Sequence, residues 1–132
     1  MMVADSSYLV EAILRNASLL EDDTFIAPDL ALYEIPNTMW KHQILLADLK
    51  EPSPFIDLFF QLLESETIQL VRPDEKLLNH AYALSVKHRS PLYDTVFISL
   101  ALDLGLELKT FDDNQKRILS EEKSSHAPAR ED

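Results

Sequence analysis

Short apolar runs alternate with longer stretches of helical periodicity along this chain, and that alternation restricts the fold more than any single residue does. Residues 2–4 (MVA), 24–27 (TFIA), 67–71 (TIQLV) and 107–110 (ELKT) have the length and character of strands. Residues 5–16, 29–48, 52–63, 74–88 and 90–104 space their apolar side chains as helices do, and a last helix is predicted over 113–119. Strands separated by helices cannot pair as hairpins. The order β-α-β-α-α-β-α-α-β-α therefore predicts an α/β fold with a central, mainly parallel sheet of four to five strands and helices on both faces. Local signals refine this. Ser6 or Ser7 is expected to cap the first helix, Asp29 the second and Asp74 the fourth. Pro36 should bend the second helix, and Gly105 should close the fifth in the left-handed region. From Ser120 the chain reads SEEKSSHAPARED, without apolar anchors, so residues 120–132 are expected to form a disordered polar tail behind a single domain over 1–119.

Composition excludes several classes of function. With 132 residues, 46% of them hydrophobic, a domain of this size buries roughly two thirds of its unfolded surface. No apolar run approaches the roughly 20 residues of a membrane span, and Asp57 interrupts the best of them, PFIDLFFQLL. The start MMVADSS has no basic segment, so no signal peptide is expected. Absence of cysteine excludes disulfides, thiol nucleophiles and thiolate metal sites, and a cytoplasmic location is the plain expectation. The single glycine excludes a phosphate-cradling P-loop or dinucleotide fingerprint, both of which need several. A net charge of −11 argues against passive nucleic-acid binding but not against a nuclease whose massed carboxylates are neutralised by cations. RNA contact must then use local positives: Lys41, Lys87, His88, Arg89, Lys109, Lys116 and Arg117, each of which a solvated surface also explains.

Four acids stand out by context: Asp5 in VADSS, Glu34 in APDLALYEIPN, Asp94 in SPLYDTVFISLAL and Asp112 in LKTFDD. Two follow predicted strands and two lie in predicted helices, a common way to assemble a cation site in an α/β domain. On a helical wheel Thr95, Ser99 and Asp103 form a polar strip, while Asp94 lies off it on the apolar arc, where a carboxylate needs a partner. A helix N-terminal acid is the alternative for Asp94, and a cap is the alternative for Asp5. One of Asp112 and Asp113 should cap the last helix. Glu34 shares a polar face with Asn37, Thr38 and Lys41, which solvent alone would explain. The four histidines show no ligand spacing, so zinc is not expected, and an all-oxygen set selects Mg²⁺ or Mn²⁺.

In this order and spacing the four contexts resemble the PIN-domain ribonucleases, and within them the VapC-like toxins of type II toxin–antitoxin pairs, from about residue 2 to residue 117. The resemblance implies a three-layer PIN-like domain over 1–119. It also implies a metal-dependent endoribonuclease in which Asp5, Glu34, Asp94 and Asp112 hold one or two Mg²⁺ or Mn²⁺ ions. Glu34 is placed in the site by the resemblance and not by the wheel, with Asn37 matching an asparagine common three residues later. The family's Thr-x-Asp pattern maps onto Thr110 and Asp112 and leaves Asp113 as cap or auxiliary acid. Ser6 and Thr110 would orient carboxylates or water, and Lys41, Lys87, Arg89, Lys116 and Arg117 would meet RNA. Pro36 departs from the smaller residue usual in the family.

The resemblance further implies a homodimer and a VapB-like antitoxin partner, and no membrane. In FIDLFFQLL seven of nine residues are apolar, a wider apolar face than an isolated surface helix carries, although burial within the domain also accounts for it. Two other readings compete: a non-catalytic interaction module on the same fold, and a Mg²⁺-binding receiver domain. The receiver is weakened because Asp5 is followed by two serines and the third strand offers only Asp74.

Overall fold

The computed structural model describes residues 1–125. Strand β1 (Met2–Ala4) leads into α1 (Ser6–Leu14), a 3-10 turn (Ala17–Leu20) and β2 (Phe25–Pro28). Helix α2 (Ala31–Trp40) loosens into a π-helical turn (Lys41–Leu45) before α3 (Ser53–Glu64) and β3 (Ile68–Val71). Helices α4 (Glu75–His88) and α5 (Leu92–Leu104), strand β4 (Leu108–Lys109) and α6 (Asp113–Ser125) complete the described chain.

All four strands pair in parallel, in the order β3-β2-β1-β4. The chain thus steps outward from β1 to β2 to β3, then returns past β1 to lay down β4. Right-handed crossovers in opposite directions put their helices on opposite faces. Accordingly α1 packs with α2 and α3, while α5 packs with α4 and α6. This is the expected three-layer arrangement. Val3 and Ala4 point to opposite faces of β1 and both are fully buried, as a central parallel strand covered on both sides requires. The reversal of winding direction between β1 and β4 opens a crevice at their carboxyl ends, the place where α/β sheets bind ligands.

Asp74 caps α4 by accepting from Leu77 N at 2.8 Å, and Gly105 ends α5 at φ 66°, both as predicted. Other expectations are corrected. The first helix is capped by Asp5, not by a serine: its Oδ1 accepts from Tyr8 N at 3.0 Å. Asp29 is not the cap of α2, whose N-cap position falls on Leu30 without a side-chain bond; Asp29 N instead donates to Val71 O at 2.8 Å. The α-helix around Pro36 ends at Trp40 instead of running to residue 48, and the chain leaves the π turn through Ala47 at φ 56°.

Most of the polar strip on α5 is buried. Residues 95–101 are all buried, because α5 lies between the sheet and α4. Thr95 Oγ1 donates to Ala81 O at 2.9 Å and sits 2.7 Å from Ser85 Oγ, which offsets its burial, while Ser99 Oγ has no hydrogen-bond partner among the described residues. Only Asp103 reaches solvent, beside His80 Nδ1 at 2.8 Å.

Residues 120–125, expected in a disordered tail, are helical. Helix α6 continues through Ser125; residues 126–132 lie outside the described residues. The reason is Glu122, only 2% exposed, which receives Lys87 Nζ at 2.8 Å and His88 Nε2 at 2.7 Å from the end of α4. A charged anchor of this kind leaves no apolar signal in the sequence. On α3, Phe59 is fully buried in the domain's own core and Phe60 remains 47% exposed. The apolar face of FIDLFFQLL is therefore largely covered from within the domain.

Candidate active site

The carboxyl ends of β1 and β4 deliver two acids to the crevice and the flanking helices deliver two more. Asp5, Glu34, Asp94 and Asp112 line one cleft of about 150 Å³, together with Ser6, Ser7, Tyr93, Phe97 and Gln115. Asp5 is carried there because it ends β1, and its own N–H donates to Lys109 O of β4 at 3.0 Å. Asp112 is carried by the last turn of the β4 connection, and Glu34 and Asp94 by the first turns of α2 and α5.

Asp5 is 4% exposed and its oxygens are held on both sides. Oδ1 accepts from Ser7 Oγ at 2.7 Å and from Tyr8 N, and Oδ2 accepts from Thr110 Oγ1 at 2.6 Å. Burial still raises its pKa above the usual carboxylate value; the Thr110, Ser7 and Tyr8 bonds oppose the rise and the Asp112 charge adds to it. Glu34 Oε1 accepts from Ser6 Oγ at 2.7 Å, and burial, then the charges of Asp94 and Asp5, raise its pKa against that bond. Asp94 is raised by burial first and then by Asp112, with the Gln115 side chain opposing. Three acids therefore resist ionisation for the same two reasons, lost water and each other.

None of the four acids makes an ion pair with a basic side chain among the described residues. Nor do three or more Asp, Glu or His side chains there stand close enough to hold an ion as they are. Carboxylates without a countercharge repel one another. The donor set remains what a hard cation needs: oxygen only, negative, and partly shielded from water. It fits Mg²⁺ or Mn²⁺ and gives zinc no nitrogen or sulfur ligand.

Other predicted residues fall into place unevenly. Thr110 is buried, bonds Asp5 and accepts from Asp112 N at 2.9 Å, so one hydroxyl fixes two acids. Asp112, not Asp113, caps α6, with Oδ1 accepting from Gln115 N at 3.1 Å. Asp113 and Asn37 are exposed and do not line the cleft. The basic candidates do not line it either. Lys87 and His88 are engaged with Glu122, Arg117 with Glu121 and Asn114, and Lys109 with Glu107, while Arg89 closes α4 in the left-handed region at φ 53°. Lys41 lowers the Glu34 pKa only as the least of its influences, and Lys116 is exposed on α6.

Four lining residues escaped the sequence reading: Ser7, Tyr93, Phe97 and Gln115. Ser7 had a signal. A hydroxyl two residues after an acid at a helix start forms a local turn, and here Ser7 bonds Asp5 and accepts from Phe111 N at 3.1 Å. Gln115 had none, since its Nε2 reaches Asp94 O, at 3.4 Å, across helices that only the fold brings together.

A three-layer parallel domain with a four-carboxylate cleft at its winding reversal defines a class of acidic, cation-suited α/β proteins. Within that class the chain belongs to the PIN domain family, whose model matches residues 2–119. It is also 34% identical over 88 residues to Ribonuclease VapC3 of Pyrobaculum aerophilum. That match covers 64% of this chain and 63% of the relative, so the chain spans less than two thirds of the curated relative's length.

Proposed function

We propose that this protein is a metal-dependent endoribonuclease that hydrolyses RNA phosphodiester bonds, the toxin of a toxin–antitoxin pair. The observation that carries it is a cleft lined by four acids, none neutralised by a basic side chain among the described residues, in a PIN-family domain. The likeness to a ribonuclease supports the substrate class. A cation of the Mg²⁺ or Mn²⁺ type, when bound, would neutralise the carboxylates and supply Lewis-acid charge to the phosphodiester and to a nearby water.

In this reading Asp5, Glu34, Asp94 and Asp112 hold one or two ions. The chain's own contribution is positioning. Thr110 and Ser7 fix the two oxygens of Asp5, and Ser6 fixes Glu34, so the carboxylates are oriented before any ligand arrives. Gln115 and Tyr93 border Asp94, where the scissile group would sit. Lys41, Arg89 and Lys116, exposed and not engaged in an ion pair among the described residues, remain the candidates of the predicted set for RNA phosphates.

Among the described residues no helix is long and apolar enough to cross a membrane. Our reading has the protein acting on RNA in the cytoplasm with a VapB-like antitoxin and as a homodimer. Trp40, Ile44, Leu45, Leu46 and Phe60 stand exposed at the end of α2 and on α3, apolar surface that partner chains would cover. Sedimentation at micromolar concentration checks the dimer: Phe60→Lys should weaken it, and a monomeric wild type would remove it. The catalytic reading is checked by incubating unpaired RNA with the protein in Mn²⁺ and in EDTA. Cleavage confined to Mn²⁺ is expected, and equal cleavage in both overturns the reading.

A further inference from the structure

Two aromatic side chains stand open on opposite sides of the acid cleft, each at the mouth of an apolar cavity. Phe111, 51% exposed, borders a cavity of about 780 Å³ on the α1 side that also meets Val10, Leu19 and His42 and joins the acid cleft through Ser7. Tyr93, 64% exposed, borders a cavity of about 370 Å³ on the α5 side with Leu30, Arg72, Leu78 and Leu92, and itself lines the acid cleft. Phe111 is held in place: it stacks on Tyr8 at 5.4 Å and 19°, and the Tyr8 hydroxyl donates to Leu19 O at 2.8 Å. About half of its surface stays exposed.

A chain of net charge −11 draws RNA weakly by its overall field, and Arg15 beside the larger cavity is spent on Glu11 at 3.1 Å. Stacking of bases on aromatic rings adds affinity that needs neither a basic groove nor sequence readout. We infer that the two cavities are nucleobase subsites that splay the bases on either side of the scissile phosphodiester of the unpaired RNA, one against Phe111 and the other against Tyr93. Arg72, which has no ion-pair partner among the described residues, then faces the phosphate beyond the Tyr93 base. Bases inside an A-form duplex are stacked on each other and cannot enter either cavity. This inference rests on the nuclease reading above.

The test uses the full chain with Mn²⁺ and a short unpaired RNA, the same sequence locked in a duplex stem, and the unpaired RNA made abasic on either side of the cleaved bond. Phe111→Leu and Tyr93→Leu keep apolar bulk and remove the ring, and melting curves verify that both fold. Each should raise KM by roughly tenfold with kcat changed less than about threefold. The abasic substrate should lose a similar factor with the wild type and nothing further with the variant that lacks the matching ring. The duplex should not be cut. Unchanged KM in both variants, or equal cleavage of duplex and single strand, overturns the inference while metal-dependent cleavage leaves the nuclease reading standing. Cleavage that survives EDTA overturns the nuclease reading instead, and failure to cut any unpaired RNA overturns both.

Discussion

Thr110 Oγ1 donates a 2.6 Å hydrogen bond to Asp5 Oδ2, joining residues 105 positions apart in the chain, and the same hydroxyl accepts from Asp112 N. The bond crosses from the end of β4 to the end of β1 and ties two acids to one buried group. Thr110→Val would leave Asp5 Oδ2 and Asp112 N without that partner, at a cost of about 1–3 kcal/mol. RNA cleavage should fall by roughly tenfold or more, and the urea midpoint should drop. Thr110→Ser keeps the hydroxyl and should recover most of both; equal loss in the two variants would mean that the methyl group, not the bond, matters.

Asp94→Asn removes a charge from a site where burial and Asp112 already disfavour it. Cleavage should fall by roughly a hundredfold or more, while the melting temperature holds or rises. Circular dichroism melts and initial rates measured on the same preparation check both. A folded Asp94→Asn protein with full activity would exclude this acid from the chemistry.

The pH dependence follows in sign from the raised pKa values of Asp5, Glu34 and Asp94. Each carboxyl binds its proton more tightly folded than unfolded. Between the unfolded value near 4 and the raised folded value, the native state carries more protons, so stability falls as pH rises through that window. These three acids thus stabilise least at neutral pH, and without cations the melting temperature should rise on mild acidification. Glu122 works oppositely. Burial pushes its pKa up, but the Lys87 and His88 bonds outweigh that and lower it, so its contribution is lost only as pH falls through the depressed value. Saturating Mn²⁺ should flatten the rise caused by the first three, with release of protons. A melting temperature indifferent to Mn²⁺ at pH 7 would place the cation elsewhere.

Ser99 Oγ is buried on α5 without a partner among the described residues. Ser99→Ala removes a group that lost water and gained nothing, so stability should rise by up to about 1 kcal/mol. Thr95→Val, one turn earlier, should do the reverse by breaking the bonds to Ala81 and Ser85. Urea titrations of the pair provide the comparison.

Truncation after Leu119 tests the extent of α6. It removes Glu122 and leaves Lys87 and His88, the latter largely buried, without their carboxylate. The urea midpoint should fall clearly; an unchanged midpoint would mean that residues 120–125 add nothing to the fold.

Much of this architecture was legible because its signals are local. Periodicity placed all four strands and nearly all helices, Asp74 and Gly105 marked their helix ends, and the four acid contexts singled out the residues that line the cleft. The Asp74 cap and the left-handed Gly105 are decided by atoms within one turn, whereas the caps expected at Ser6 or Ser7 and at Asp29 were not met. The strand order β3-β2-β1-β4 is different, because it depends on which faces can be buried together and on crossover handedness. Only that order sets β1 against β4 and brings Asp5, Thr110 and Asp112 into bonding distance. Burial was likewise decided at long range. A wheel puts Thr95 and Ser99 on a polar strip but sees one helix only, whereas α4 covers them. Glu122 was read as tail because charge suggests water, whereas Lys87 and His88 supply the countercharge that lets it be buried. The sequence by itself determined which segments form and which acids stand at the ends of strands and helices; the packing of distant segments decided which of those groups lose water and meet.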